Sequence, residues 1–157
     1  MYKNTLAFKE ISDLYGDQTA KRSNIPLINH IVEGCEILQN CGVNLDVISA
    51  FCIHPIIQNN LELKYSHSSN VIRLAEEYSR VANSYLCRLD TDYIVSVQQL
   101  DLLLGVVDQD VLYMLYADKL QNNKDFLTYH VKTHDRSIQL TRYFALWTCY
   151  LSEKLFK

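Results

Sequence analysis

Apolar residues recur along most of this chain at the three- and four-residue spacing of helices that bury one face. Leu6, Phe8, Ile11, Leu14 and Tyr15 predict a first helix, with Asn4 or Thr5 as its cap and an end near Gly16. The polar stretch DQTAKRSNIP reads as a turn. Pro26 then suits the first turn of a second helix, with Asn24 as cap and Gly42 as stop. Leu27, Ile28, Ile31, Val32, Cys35, Ile37 and Leu38 give that helix a broad buried face, and Gly34 provides a point of close approach for another helix.

Asn44 caps a third helix, LDVISAFCIH, apolar on every side and so expected at the centre. His54-Pro55 should break or kink it, because proline disfavours helical geometry in the residue before it. IIQNNLELKYSHSSN reads as an irregular link with His67 exposed. A fourth helix starts at Ser68, Ser69 or Asn70 and turns Val71, Ile72, Leu74, Ala75, Tyr78, Val81, Ala82, Tyr85 and Leu86 inward. Further helices are expected from Ile94 to Val107, through VLYMLYADKLQNNKDFL (111–127), and from about Asp135 to Leu155, the last holding Ile138, Leu140, Tyr143, Phe144, Leu146, Trp147 and Leu151. Only four Gly and two Pro punctuate 157 residues, and there is no repeat or low-complexity segment. The reading is one all-α domain over residues 1–157.

Composition narrows the function. A hydrophobic share of 48% with 21% charged excludes a disordered chain. A net charge of −3 provides no general attraction to nucleic acid. No apolar run approaches the ~20 residues of a membrane span, and MYKNTLAFKEISDLYG lacks the apolar core of a signal peptide. Five cysteines without a CxxC point to a reducing cytoplasm and no disulfide framework.

The chemistry-bearing residues are few. Asp118 interrupts an apolar helix, where an uncompensated carboxylate is costly, and Asn122 shares its face one turn on. Asp118 could be a structural ion pair with Lys119, Lys124 or a distant Arg, or it could be a ligand. His30 stands in the apolar stripe of the second helix, and His54 ends the third. Lys21 and Arg22 are a basic pair in a turn, of interest if a phosphate pocket lies beneath. His130 and His134 have the spacing of a two-His metal site, and His134-Asp135 is an HD dipeptide, but both fall in a polar junction and read as surface features. There is no GxGxxG or GxxxxGK loop.

Three segments resemble the HD-domain phosphohydrolases, and above all the RelA/SpoT-type hydrolase domain, which removes pyrophosphate from (p)ppGpp. KRSNIPLINH (21–30) is similar to that family's Arg-Lys-Ser-Gly-x-Pro-Tyr-Ile-x-His segment, and VISAFCIHPIIQN (47–59) to its helix ending in His-Asp-x-x-Glu-Asp. YADKLQNNKDFL (116–127) resembles Leu-Ala-Asp-Arg-Leu-His-Asn-Met-Arg-Thr-Leu. The resemblance implies an HD-like helical bundle. In it His30, His54 and Asp118 would bind a divalent metal, Lys21 and Arg22 would contact phosphates, and Asn122 would help hold a nucleotide. Departures fall on the chemistry: Pro55 replaces the metal-binding aspartate, Gln58 and Asn59 the acidic pair, Gln121 a histidine and Leu27 a tyrosine. Amides cannot act as general bases at neutral pH. The remaining two-His, one-carboxylate set suits Mn²⁺, Fe²⁺ or Zn²⁺, more weakly held than with a fourth anionic ligand. Two functions follow as expectations. One is a metal-dependent nucleotide pyrophosphohydrolase or phosphohydrolase with impaired or altered catalysis. The other is an inactive HD fold that binds a nucleotide or a protein partner.

Overall fold

In the computed structural model, which describes residues 2–82 and 96–156, the chain is all-α. A short 3-10 turn (Tyr2–Asn4) leads into α1 (Leu6–Tyr15), α2 (Ile28–Asn40), α3 (Leu45–Gln58), α4 (Ser69–Val81), α5 (Val97–Leu104), α6 (Gln109–Asp125) and α7 (Ser137–Leu155), with a π-helical turn (Phe126–His130) after α6. Local chemistry starts most of them. Thr5, Asn44, Ser68 and Ser96 accept hydrogen bonds from Phe8, Val47, Val71 and Gln99 N–H groups, each satisfying a donor the first helical turn leaves open.

α3 is the axle. Val47, Ile48 and every residue from Ala50 to Ile56 are buried, and α1, α2, α4 and α6 pack around it. A helix apolar on all sides has to sit there. Gly34 of α2 faces the Phe51 ring of α3 so closely that a Cβ at Gly34 would lie 2.2 Å from Phe51 Cε1. The close approach expected of that glycine is therefore made, and it puts Cys35 and Cys52 in contact at 3.5 Å. α6 lies against α2, α3, α4 and α7, and Trp147, Tyr150 and Leu151 of α7 complete the core.

Three expectations need correction. Asn24 does not cap α2. It adopts a left-handed conformation (φ 57°) and closes a turn in which its N–H bonds to the Ala20 carbonyl at 2.9 Å. Thr19 bridges Pro26, and the helix starts only at Ile28. α3 does not break at Pro55 but runs on to Gln58. Its end is closed beyond the proline: Asn59 donates its backbone and side-chain N–H to the Pro55 carbonyl at 3.2 and 2.7 Å, and Asn60 takes the left-handed conformation. His67 is not exposed: its Nε2 lies 2.6 Å from Glu10 Oε2 and both side chains are buried, while Glu10 Oε1 accepts from Lys64 N–H. A carboxylate buried in α1 thus fastens the link between α3 and α4. The last helix, α7, holds Ile138 as expected, on its exposed side, and turns Phe144, Trp147, Tyr150 and Leu151 inward. The expectations for Tyr85, Leu86 and Ile94 lie outside the described residues.

Among the described residues, no helix is long and apolar enough to cross a membrane. Cys35, Cys41, Cys52 and Cys149 are free thiols.

Candidate metal centre

Where α2, α3 and α6 meet, His30, His54 and Asp118 each bring one ligand atom within 4.8 Å of the others, and no other such group of three converges among the described residues. His54 is 3% and Asp118 5% exposed, while His30 lies at the edge of the cluster with a side chain 23% exposed. The His30 and His54 rings meet edge-on at 5.7 Å between centroids, and the Phe51 and Tyr78 rings lie 4.8 and 4.7 Å from His54. These rings form an aromatic wall against the imidazoles.

Each histidine has its Nδ1 engaged. His54 Nδ1 lies 2.6 Å from the Phe51 carbonyl, and His30 Nδ1 lies 2.5 Å from Gln121 Oε1. A ring that donates through Nδ1 carries its lone pair on Nε2, the arrangement found in metal-ligating histidines. His30 Nε2 is 3.4 Å from Asp118 Oδ1.

Two donors hold Asp118. Asn122 donates its side-chain N–H to Oδ1 at 2.9 Å, and Lys119 reaches Oδ2 at 3.0 Å. Lys119 is itself 5% exposed, its ammonium 5.2 and 5.8 Å from the ring centroids of Tyr143 and Trp147. Of the partners open to Asp118 as a structural ion pair, Lys119 is the one it meets; Lys124 pairs with Glu33 and Asp125 instead. Burial pushes the Asp118 carboxyl up, but the Lys119 ammonium and then His30 and His54 outweigh it and hold the group below the usual carboxylate range. Burial pulls Lys119 down, and Asp118 and Tyr143 hold it up. His54 is pushed down to about 4, first by burial and then by His30, so it is neutral at pH 7.

The donor chemistry fits a divalent cation: two imidazole nitrogens and a carboxylate oxygen in a largely buried place.

The other candidates lie elsewhere or act differently. Lys21 and Arg22 are exposed on the tight loop before α2, which Leu27 N–H fastens to the Gln18 carbonyl at 2.9 Å. Asn122 is directed at Asp118, where it orients the carboxylate. Asn59 commits its amide to the end of α3. His134 Nδ1 accepts from the Arg136 N–H at 3.0 Å within its own turn.

Gln121 was legible only as a missing histidine, yet it touches His30. Its Nε2 donates to Asp125 Oδ2 at 2.7 Å and faces Glu33 Oε2 at 3.4 Å. A signal for it is present in the sequence: Asp118, Gln121, Asn122 and Asp125 form a polar stripe at i, i+3, i+4 and i+7 along one face of α6.

No family model, curated protein or solved structure matches this chain.

Proposed function

We propose that the chain is an HD-phosphohydrolase-like domain that holds a divalent cation (Mn²⁺, Fe²⁺ or Zn²⁺) on His30, His54 and Asp118 and, with it, a nucleotide or another phosphate-bearing small molecule of the ppGpp type, with catalysis impaired or altered. The observation that carries this reading is the convergence of two imidazoles and a carboxylate from three separate helices, with both Nδ1 atoms already engaged. A resident ion would polarise a phosphate oxygen and lower the pKa of bound water. The residues of the chain would supply the rest: Lys21 and Arg22, next to the helix that bears His30, would meet phosphate oxygens, and Asn122 would steady the Asp118 carboxylate.

What limits turnover is the end of α3. Pro55 has no donor atom for a metal, and Asn59 binds the Pro55 carbonyl instead of facing a substrate. With no acid at positions 58 and 59, a positioned hydroxide lacks its usual base. This favours a second reading, in which the same domain binds a nucleotide or a protein partner and turns nothing over. A net charge of −3 gives no support to a nucleic-acid partner.

Metal content of protein purified without chelator is the test, beside His30→Ala and Asp118→Asn. Both substitutions are chosen to spare the fold, since His30 is part-exposed and Asn retains polar contacts for Lys119. Near-stoichiometric metal that falls at least tenfold in both variants supports the proposal. No ion after Mn²⁺ or Zn²⁺ is added overturns it. With metal present, release of pyrophosphate or phosphate from ppGpp and nucleotides supports an enzyme. A thermal shift with nucleotide but no release supports the binding module.

A further inference from the structure

A neutral imidazole carries one proton, and a ring that holds it on the inward nitrogen cannot ligate a cation there. Where that proton sits on His30 and His54 is decided by the groups behind the rings. Behind His54 is the Phe51 carbonyl. In an uninterrupted helix this oxygen accepts from the N–H four residues on, but that residue is Pro55, which has none. Pro55 therefore leaves a carbonyl open at the distance His54 Nδ1 occupies. Behind His30 is Gln121. Its amide has one orientation that serves its neighbours: two carboxylates, Asp125 and Glu33, which also pair with Lys124, face Nε2 and can only accept, which leaves Oε1 as the acceptor for His30.

We propose that Pro55 and Gln121 are positioning residues that hold His54 and His30 in the Nδ1–H tautomer, so that both rings present an unprotonated Nε2 to the cluster shared with Asp118. The proton placement stands on these two hydrogen bonds, with Asp118 Oδ1, 3.4 Å from His30 Nε2, as a competing acceptor for the His30 proton; its use in taking up a cation rests on the metal-binding reading above. Pro55, which offers no ligand atom of its own, thus prepares a neighbouring one. Gln121 links the outer carboxylates of α2 and α6 to a ring that faces the centre. Packing reinforces both, because the Phe51 ring lies against His30 and His54 alike.

The test is the tautomeric state of each imidazole, read from long-range ¹H–¹⁵N correlations of ¹⁵N-histidine-labelled full chain at pH 7.5 with chelator present. Both rings are expected to show a protonated Nδ1 and an unprotonated Nε2. In Gln121→Leu, His30 should move to the Nε2–H form or a mixture while His54 stays. In Pro55→Ala, the restored N–H competes for the Phe51 carbonyl, and His54 should become mixed while His30 stays. Titration with Zn²⁺ should then show affinity reduced about 10- to 100-fold in Gln121→Leu, as when other outer-shell partners are lost. An Nε2–H pattern at either ring of the unaltered chain overturns the proposal, and that measurement does not depend on any variant folding. So do unchanged tautomers in both variants when their other resonances remain native. The expected tautomers without any Zn²⁺ or Mn²⁺ binding would sink the metal reading and leave the proton placement standing.

Discussion

His54 shows how a single buried group ties stability to pH. Its pKa is pushed down to about 4 by burial, against an ordinary value of 6.5, so the unfolded chain binds a proton at a pH where the folded chain refuses it. The stability gained by keeping the ring neutral is complete above pH 6.5 and is lost as pH falls through about 4, a swing of about 3 kcal/mol. Urea denaturation of metal-free protein at pH 7 and pH 4, compared with His54→Gln, isolates it. The unaltered chain should lose about 3 kcal/mol more than the variant over that interval. Parallel profiles would mean that His54 titrates like an exposed histidine. Asp118 belongs to the same level of description. Its place on an apolar helix was visible in the sequence, and so was Lys119 among its possible partners. The enclosure of Lys119 by Tyr143 and Trp147 was not, because those rings come from α7.

Helices α2 and α3 cross where Gly34 meets the Phe51 ring, and the crossing sets the separation of His30 and His54. A Cβ at Gly34 would lie 2.2 and 2.3 Å from two atoms of the Phe51 ring, which is fully buried and has nowhere to go. Gly34→Ala should therefore destabilise the fold by about 2–3 kcal/mol, as overpacking does, and should weaken metal uptake by forcing the two helices apart. Urea denaturation measures the first effect; a variant within about 0.5 kcal/mol of the unaltered chain would show that the helices do not meet this tightly. The role of Gly34 was readable because a glycine in an apolar helical stripe has few other uses. The continuity of α3 was not. The rule that a helix stops before proline considers only the chain nearby, whereas here His54, Pro55 and Ile56 are buried and the Phe51 carbonyl that Pro55 leaves open is met by the His54 ring.

Across the molecule, the thiols report how the core opens. Cys149 is exposed, Cys41 is half-buried, and Cys35 and Cys52 are buried in contact with each other. Contact with Cys35 and burial together push the Cys52 thiol well up, which suppresses its reactive thiolate. Among the four described cysteines, a thiol reagent under native conditions should modify Cys149 first and Cys41 more slowly, with Cys35 and Cys52 reacting together only as the whole domain unfolds. Mass-spectrometric mapping against time checks the order. Early labelling of Cys52 would mean that α3 is exposed by a local opening and is not the axle of a cooperative core. The Glu10–His67 contact adds to this cohesion, joining residues 57 positions apart. Sequence reading placed His67 in solvent, since a histidine between serines in a polar link gives no hint of a buried carboxylate waiting on another helix.

The helices, their buried faces and most of their caps were written locally, in the spacing of apolar residues and in single residues such as Thr5, Asn44 and Ser68, whose partners lie three positions away. Those features survive folding because they need no distant group. Which polar residues meet is a different matter. That Gln121 backs His30, that Phe51 backs His54, that Glu10 takes His67 and that Asn24 turns the chain instead of starting a helix all depend on contacts or backbone angles that periodicity does not specify. The sequence supplied His30, His54 and Asp118 as candidates. Only the packing of α2, α3 and α6 brought them within reach of one another, because distance along a chain does not limit distance in a folded core.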